Sequence, residues 1–326
     1  MFYTGVDFGG TKIEAVTLDD NGTELSRLRV PNPGTYSGAI DAIIELTNAV
    51  ETKSAERHGA PVRAFGIGLG IPGSVSPRTG EIRNANTTWI NGRPFAADLE
   101  RALGRRVRLS NDANCLALSE ALDGAGAGAG SVAALILGTG FGGGLVLNGQ
   151  LIDGANGIAG EMGHFGLPWA QAGEAPGPQC WCGQRGCVET WVSGTGFARD
   201  FADHTARTIT AENIIEAMRH NEPEAMAAFQ RFLSRLARTL ATIANIYDPE
   251  VFVLGGGLSN VPEIFDQLPE QIRRYVFSDR WDSRLVPARW GDSSGVRGAA
   301  YLWRETQPAA GGETQPIELA MRAVRA

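Results

Sequence analysis

The sequence predicts an α/β protein built from two related lobes, and three observations predict it. Residues 2–8 read as a strand that runs into Gly9-Gly10 and then into a second strand, Ile13–Leu18. Val132–Leu137 does the same, passing through Gly138–Gly144 into Leu145–Asn148, so one strand–turn–strand unit is used twice, as an internal duplication would leave it. Around these units apolar residues recur at helical spacing: Ile40, Ile43, Ile44, Leu46 and Val50 in 37–58, and Phe229, Leu233, Leu236, Leu240 and Ile243 in 223–247.

Taken in order, Asp19-Asp20-Asn21-Gly22 is a hairpin signal, and Glu24–Val30 follows it as a third strand. Ala64–Ile71 is a glycine-spaced strand ending at Pro72-Gly73, and Val107–Ser110 is a short strand before Asn111-Asp112-Ala113-Asn114. Cys115–Leu122 reads as a helix, and the glycine-alanine alternation of 124–130 as a flexible surface turn. Residues 210–220 and 223–247 are helical; Pro223 suits a first helical turn, and Asp248-Pro249 stops the second helix. Val251–Leu254 is a buried strand before Gly255-Gly256-Gly257, and Ser293–Trp303 a closing helix. The tail from Glu305, rich in Pro, Gly, Thr and Gln, has no assigned role; Ile317–Arg325 has the pattern for a helical turn or two.

With 326 residues, 43% of them hydrophobic, the chain has ample core for two domains. A net charge of −7 without a basic run argues against nucleic acid, and the absence of 18 consecutive apolar residues argues against a membrane span. The N-terminus opens directly into a strand pattern rather than a signal peptide, so a cytoplasmic location is expected.

Glycine-rich turns after buried strands expose backbone N–H groups to an anion. Three occur here, Asp7–Lys12, Gly138–Gly144 and Gly255–Gly257, which points to a nucleotide held between the lobes. Asp7 precedes its glycines, which suits the water shell of a magnesium ion better than a dinucleotide pattern. Lys12 is one of only two lysines in the chain and lies in that first turn. Asp112 follows a strand and opens a helix. There a carboxylate can cap the helix or take a proton from a substrate hydroxyl, and the two roles are compatible.

Three of the four cysteines, Cys180, Cys182 and Cys187, fall within eight residues, with Gly183 and Gly186 to bend the chain around an ion. With His164 they make three thiolates and an imidazole, a closed and therefore structural zinc set rather than the open set of a zinc hydrolase. Such a clamp would hold Glu161 and Glu189 at one end of the loop. His58, His204 and His220 read as solvated.

These segments resemble the ROK family of bacterial sugar kinases and repressors: Asp7-x-Gly-Gly-Thr-Lys12, Gly70-Ile-Pro-Gly73, Asn111-Asp112-Ala113-Asn114, Leu137-Gly-Thr-Gly140, Gly160-Glu-Met-Gly-His164, Cys180-x-Cys-Gly-x-x-Gly-Cys187-x-Glu189 and Leu254-Gly-Gly-Gly257. The likeness covers about residues 3–304, and 72–92 together with 291–298 look most like its fructokinase branch. It implies the actin-like ATPase fold of sugar kinases. A small lobe would take 1–118 plus about 293–304, a large lobe with the zinc loop 119–292, and 305–326 would be a flexible tail.

The resemblance also implies ATP-dependent phosphorylation of a hexose 6-hydroxyl, fructose first, with glucose, mannose or an N-acetylhexosamine as alternatives and a non-catalytic sugar sensor as the reading of another class. Asp112 would be the base. Gly73, Asn111, Asp112, Glu161, His164 and Glu189 would hold the sugar. Gly5, Asp7, Gly9, Gly10, Thr11 and Lys12, then Gly138, Thr139, Gly140 and Gly142, then Gly255 and Gly256, would hold ATP with Mg2+. A homodimer is implied, and since no helix-turn-helix precedes the first strand, no DNA partner.

Overall fold

The first three strands, β1 (Phe2–Phe8), β2 (Lys12–Asp19) and β3 (Glu24–Pro31), form an antiparallel meander in the computed structural model, which describes residues 1–304. The expectations of a flexible tail and of helical turns in 317–325 lie outside the described residues. The chain continues through α1 (Tyr36–His58), β4 (Gly66–Ile71), a small hairpin of β5 (Ser74–Val75) and β6 (Ile82–Arg83), α2 (Phe95–Leu103) and β7 (Arg106–Asn111). β4 and β7 join β1 in parallel, giving the order β3-β2-β1-β4-β7.

After α3 (Asp112–Leu122) the pattern starts again with β8 (Ser131–Leu137), β9 (Phe141–Leu147) and β10 (Gln150–Leu151). A long loop leads to α4 (Glu189–Val192), α5 (Gly194–Thr205), α6 (Ala211–Arg219) and α7 (Pro223–Tyr247). Then come β11 (Val251–Gly255), α8 (Pro262–Arg273), β12 (Arg284–Pro287) and α9 (Ser294–Tyr301). The second sheet runs β10-β9-β8-β11-β12, with the antiparallel and parallel pairings in the same sequence as in the first. Among the described residues no helix is long and apolar enough to cross a membrane.

Each sheet is covered on both faces, as strands alternate their side chains. In the first sheet Val6, Phe8, Ile13 and Ala15 meet Ile43, Leu46 and Val50 of α1 and Phe95 and Leu99 of α2. Its other face, with Tyr3, Val16 and Leu18, takes Val296, Ala300 and Tyr301 of α9. In the second sheet Ala133, Leu135 and Leu137 meet the face of α7 that carries Phe229, Leu233, Leu236 and Leu240, while Val132 and Ala134 meet Leu116, Ala117 and Ala121 of α3. So α9 lies on one sheet, α3 on the other, and the two helices cross. The crossing is backbone on backbone: a Cβ on Gly298 would stand 1.7 Å from the carbonyl oxygen of Cys115, and one on Gly68 1.7 Å from that of Ala299.

Polar groups fix the same junction. Glu120, fully buried in α3, accepts from the backbone of Ala125, Arg289 and Trp290 and from Ser294 Oγ. The 124–130 stretch is therefore no free surface turn: Gly124 and Gly126 are buried, and the turn folds back on α3 through Gly126 N–H to Glu120 O at 2.9 Å. On α7 the buried Arg238 and Arg235 both reach Glu174, and Arg238 also donates to the carbonyls of Pro168 and Trp169, tying the long loop to the helix.

Two expected boundaries move. α3 begins at Asp112 rather than Cys115, because Asn111 caps it. Gly142–Gly144 belong to β9, not to a turn, because they pair in antiparallel register with Ile136, Leu135 and Ala134 of β8. The sequence reading passed over α2, nine residues with only Phe95 and Leu99 buried, and also α5 and α8, although Ile264, Leu268 and Ile272 of α8 recur at helical spacing.

Candidate active site

The carboxyl ends of the parallel strands are where open α/β sheets take their ligands, and β7 delivers two side chains there. Asn111 Oδ1 accepts from Ala113 N at 2.9 Å and caps α3, while its Nδ2 donates to Gly73 O at 2.9 Å. The cap is thus Asn111. Asp112, whose Oδ1 also accepts from Ala113 N at 2.8 Å, keeps its side chain in contact with solvent. Crowding by surrounding protein raises its pKa, with the like charge of Glu161 adding to the effect and the Ala113 N–H opposing it.

Asp7, at the end of β1, stands opposite Glu14 on β2 and Gly70 on β4. Burial, then the neighbouring charges of Asp112 and Glu14, push its carboxyl up to about 6, against the pull of Lys12 and Arg29. Gly9, Gly10, Thr11 and Lys12 follow as a tight turn closed by Gly9 N–H to Lys12 O at 3.0 Å, with Gly10 and Thr11 exposed.

The glycines of β9 bring the other residues in. A Cβ on Gly142 would meet Ala113 at 3.6 Å and one on Gly144 would meet Ala117 at 2.7 Å, so the start of α3 lies directly on the strand. On the opposite face Gly143 lies under Met162, and Gly160 packs with its would-be Cβ 2.4 Å from Gly143 O. Glu161 is exposed and within electrostatic reach of Asp112. Its Oε2 is 3.9 Å from His164 Nε2, and the His164 ring stands edge-on to Trp181 at 4.9 Å. Glu189 is held at both oxygens: Trp181 Nε1 donates to Oε1 at 2.8 Å, and Phe141 N donates to Oε2 at 3.1 Å.

The side chains of His164, Cys180, Cys182 and Cys187 converge, with their ligand atoms all within 4.8 Å of one another. Cys180 Sγ lies 3.7 Å from His164 Nδ1, and Cys182 Sγ 3.6 Å from Cys187 Sγ. A tetrahedral zinc with bonds of about 2.0–2.3 Å sets its ligand atoms about 3.5–3.8 Å apart, so the donor set and its spacing fit that ion.

A cavity of about 600 Å3 is walled by Gly138 and Thr139, by Gly194, Thr195 and Ala198 of α5, by 208–212, and by Gly257 and Leu258. Gly194 N donates to Gly138 O at 2.7 Å and Thr195 Oγ1 to Thr139 O at 2.8 Å, so the start of α5 shapes the turn after β8. The sequence reading missed that wall, although Ser193-Gly-Thr-Gly is a legible cap signal: Ser193 accepts from Gly196 N at 3.0 Å.

Three of the glycines expected to hold ATP pack closely against helices. Gly5 is buried beneath α9, where a Cβ would be 2.3 Å from Ala300 N; Gly142 faces α3; and Gly255 packs against Leu116. Gly140 lies beside Glu189 Oε2, and Gly256 turns under the Leu137 carbonyl with φ of 83°. A larger cavity, about 1100 Å3, lies between 76–92, Asn156 and Trp181, and Asp112 does not line it.

The ROK family profile matches residues 3–306. An N-acetyl-D-glucosamine kinase of Yersinia pseudotuberculosis is 39% identical over 92% of this chain and 98% of its own. One of Salmonella paratyphi B is 41% identical with the same coverage. Among solved structures, a ROK hexokinase from Thermus thermophilus superposes with a TM-score of 0.82 at 34% identity, over 92% of this chain and 97% of its own. A ROK family glucokinase from Streptomyces griseus, in complex with glucose and AMPPNP, gives 0.73 at 31% identity, over 93% and 99%. These curated relatives are named for N-acetyl-D-glucosamine, not fructose, so the likeness of 72–92 to a fructokinase branch is not supported.

Proposed function

This chain belongs to the ROK family, and from that premise we propose that it transfers the γ-phosphoryl group of ATP to the 6-hydroxyl of a hexose, with N-acetyl-D-glucosamine as the preferred acceptor. The observation that carries the reading is the electrostatic coupling of Asp112, at the junction of β7 and α3, to Asp7 of β1 and to Glu161 of the loop after β10, with a separate cavity lined by Gly138 and Thr139. The sugar names of the relatives at 39–41% identity put the N-acetylated hexosamine ahead of fructose.

In this reading the small lobe is the first sheet with α9, the large lobe the second sheet with its helices, and the sugar lies between them. Glu161, His164 and Glu189 accept or donate to ring hydroxyls, with Asn111 and the Gly73 backbone on the facing side. The adenosine occupies the cavity walled by Thr139, Thr195 and Gly257, and the Gly9–Lys12 turn faces the phosphates. Asp112 takes the proton of the 6-hydroxyl while that oxygen bonds to the γ-phosphorus; the bond from phosphorus to the bridging oxygen breaks and ADP leaves. Magnesium, held through water by Asp7, would supply positive charge to the phosphates. Zinc held by His164, Cys180, Cys182 and Cys187 would stay outside the chemistry and fix the loop that carries Trp181 and Glu189.

Sugar-dependent ADP release, measured for N-acetylglucosamine, glucose, mannose and fructose, tests the acceptor: kcat/KM should be highest for the first, and a clear preference for fructose would reverse the choice. Asp112→Asn should lower kcat by about 10²- to 10⁴-fold while sugar affinity stays within a few-fold. Near-full turnover by that variant would remove Asp112 as the base. Stripping zinc with a chelator should weaken sugar binding and lower the melting temperature together; unchanged sugar affinity in the metal-free protein would show that the clamp does not position Glu189.

A further inference from the structure

Asp7, Glu14 and Arg29 stand side by side across the first three strands: Asp7 of β1 is in register with Glu14 of β2, and Glu14 with Arg29 of β3. Side chains alternate along a strand, so all three share the sheet face that carries Tyr3, Val16 and Leu18, the face under α9. Lys12 and Arg27 lie on it too, each two residues from one of the three. The first turn of α9 borders Asp7, where a Cβ on Gly295 would lie 3.7 Å from the carboxylate. Beyond the apolar residues that α9 covers, this face is therefore charged.

The buried Glu14 organises its cations. Its Oε2 accepts from Arg29 Nη2 at 2.8 Å and its Oε1 from Arg27 Nη1 at 3.3 Å. Arg27 is also bonded to Ser293 Oγ and to Glu24. Arg29 differs: its side chain is 50% exposed, and among the described residues Nη2 is its only bonded nitrogen. The end of β3 is tied to the Gly9–Lys12 turn, since Asn32 N donates to Thr11 O at 2.9 Å and Asn32 Nδ2 to Gly9 O at 2.7 Å. Burial raises the Asp7 carboxyl, and the charges of Lys12 and Arg29 both oppose it, so the two cations reach the same corner.

A triphosphate drawn against this turn meets two carboxylates, Asp7 and Glu14, and needs positive charge beside them. A guanidinium pinned at one nitrogen, with its other donors free, presents the planar fork that phosphate oxygens accept. We propose that Arg29 is a further substrate-binding residue, donating to the terminal phosphates of the nucleotide alongside Lys12, and that Glu14 is the residue that positions it. The proposal rests on the kinase reading above. As the bond from the γ-phosphorus to the bridging oxygen breaks, negative charge gathers on the departing ADP, and Arg29 offsets it there.

The test is the binding of AMP, ADP and AMPPNP, each with magnesium, to the intact protein and to Arg29→Ala, with kcat/KM for ATP measured alongside on N-acetylglucosamine. The affinity for AMPPNP should fall by about tenfold or more, as loss of a charge-assisted hydrogen bond requires, and that for AMP by less than about twofold. The kcat/KM for ATP should fall with the AMPPNP affinity. Glu14→Gln should give the same graded loss, and combining it with Arg29→Ala should add nothing further. An equal loss for all three nucleotides, or an unchanged AMPPNP affinity, would overturn the role of Arg29 and leave the kinase standing. A further loss in the double variant would remove Glu14 as the residue that positions it. If the intact protein releases no ADP with any sugar, the kinase reading falls, and the binding series still decides for or against Arg29.

Discussion

Asp7 illustrates how a residue can be costly to the fold and useful to the site. Its folded pKa of about 6 stands above the ordinary 3.8. Between those values the unfolded chain has released the proton and the folded chain has kept it, so raising the pH through this window lowers stability, and the loss is complete above about 6. Asp7→Asn should therefore stabilise the metal-free protein by about 1–3 kcal/mol at pH 8 and by almost nothing below pH 4. Urea midpoints at the two pH values check this, and an equal gain at both would show that the charge is not strained. That Asp7 and Asp112 matter was legible in the sequence, because each ends a strand beside turn residues. That Asn111 is the cap and Asp112 only shares the Ala113 N–H with it was not, since only the structure distinguishes the two.

At the scale of elements, β9 carries the clearest lesson. Its glycines read as a phosphate turn because a sequence cannot distinguish glycine needed for a turn from glycine needed for close packing. The structure shows that they also allow close packing, with α3 on one face and the Gly160–Gly163 loop on the other. The two faces should respond differently to a methyl group. Gly144→Ala meets Ala117 at 2.7 Å and the Ala113 carbonyl at 2.9 Å, neither of which can turn aside, whereas the two tightest contacts of Gly143→Ala are side-chain ends, Met162 and Leu135, with the Ala134 carbonyl farther off at 3.1 Å. Gly144→Ala should cost about 1–3 kcal/mol and displace Asp112, lowering kcat, and Gly143→Ala should cost less. Denaturant midpoints and kcat for the pair check the order; the reverse order would mean that α3 does not lean on this strand. The cysteine loop was read more securely, because three thiols and an imidazole at that spacing have few other uses, and the structure brings all four together.

Across the whole molecule, the strand-turn-strand repeat announced the shared topology of the two sheets, while α2 offered only two buried apolar positions and the Ser193 cap of α5 and the Ile264, Leu268, Ile272 stripe of α8 went unread. The placement of α9 has a consequence for biosynthesis. The first sheet is complete in sequence by Asn111, yet one of its faces is covered by Val296, Ala300 and Tyr301, which leave the ribosome some 185 residues later (296 − 111 = 185). A nascent chain must carry that apolar face uncovered while the entire second sheet is made, a period in which chaperone capture or aggregation is favoured. A fragment ending near residue 122 should accordingly be poorly soluble alone, and a peptide spanning 290–304 should restore protection to the amides of β1 and β4 in hydrogen exchange. If the fragment is already protected without the peptide, the N-terminal sheet does not wait for its cover.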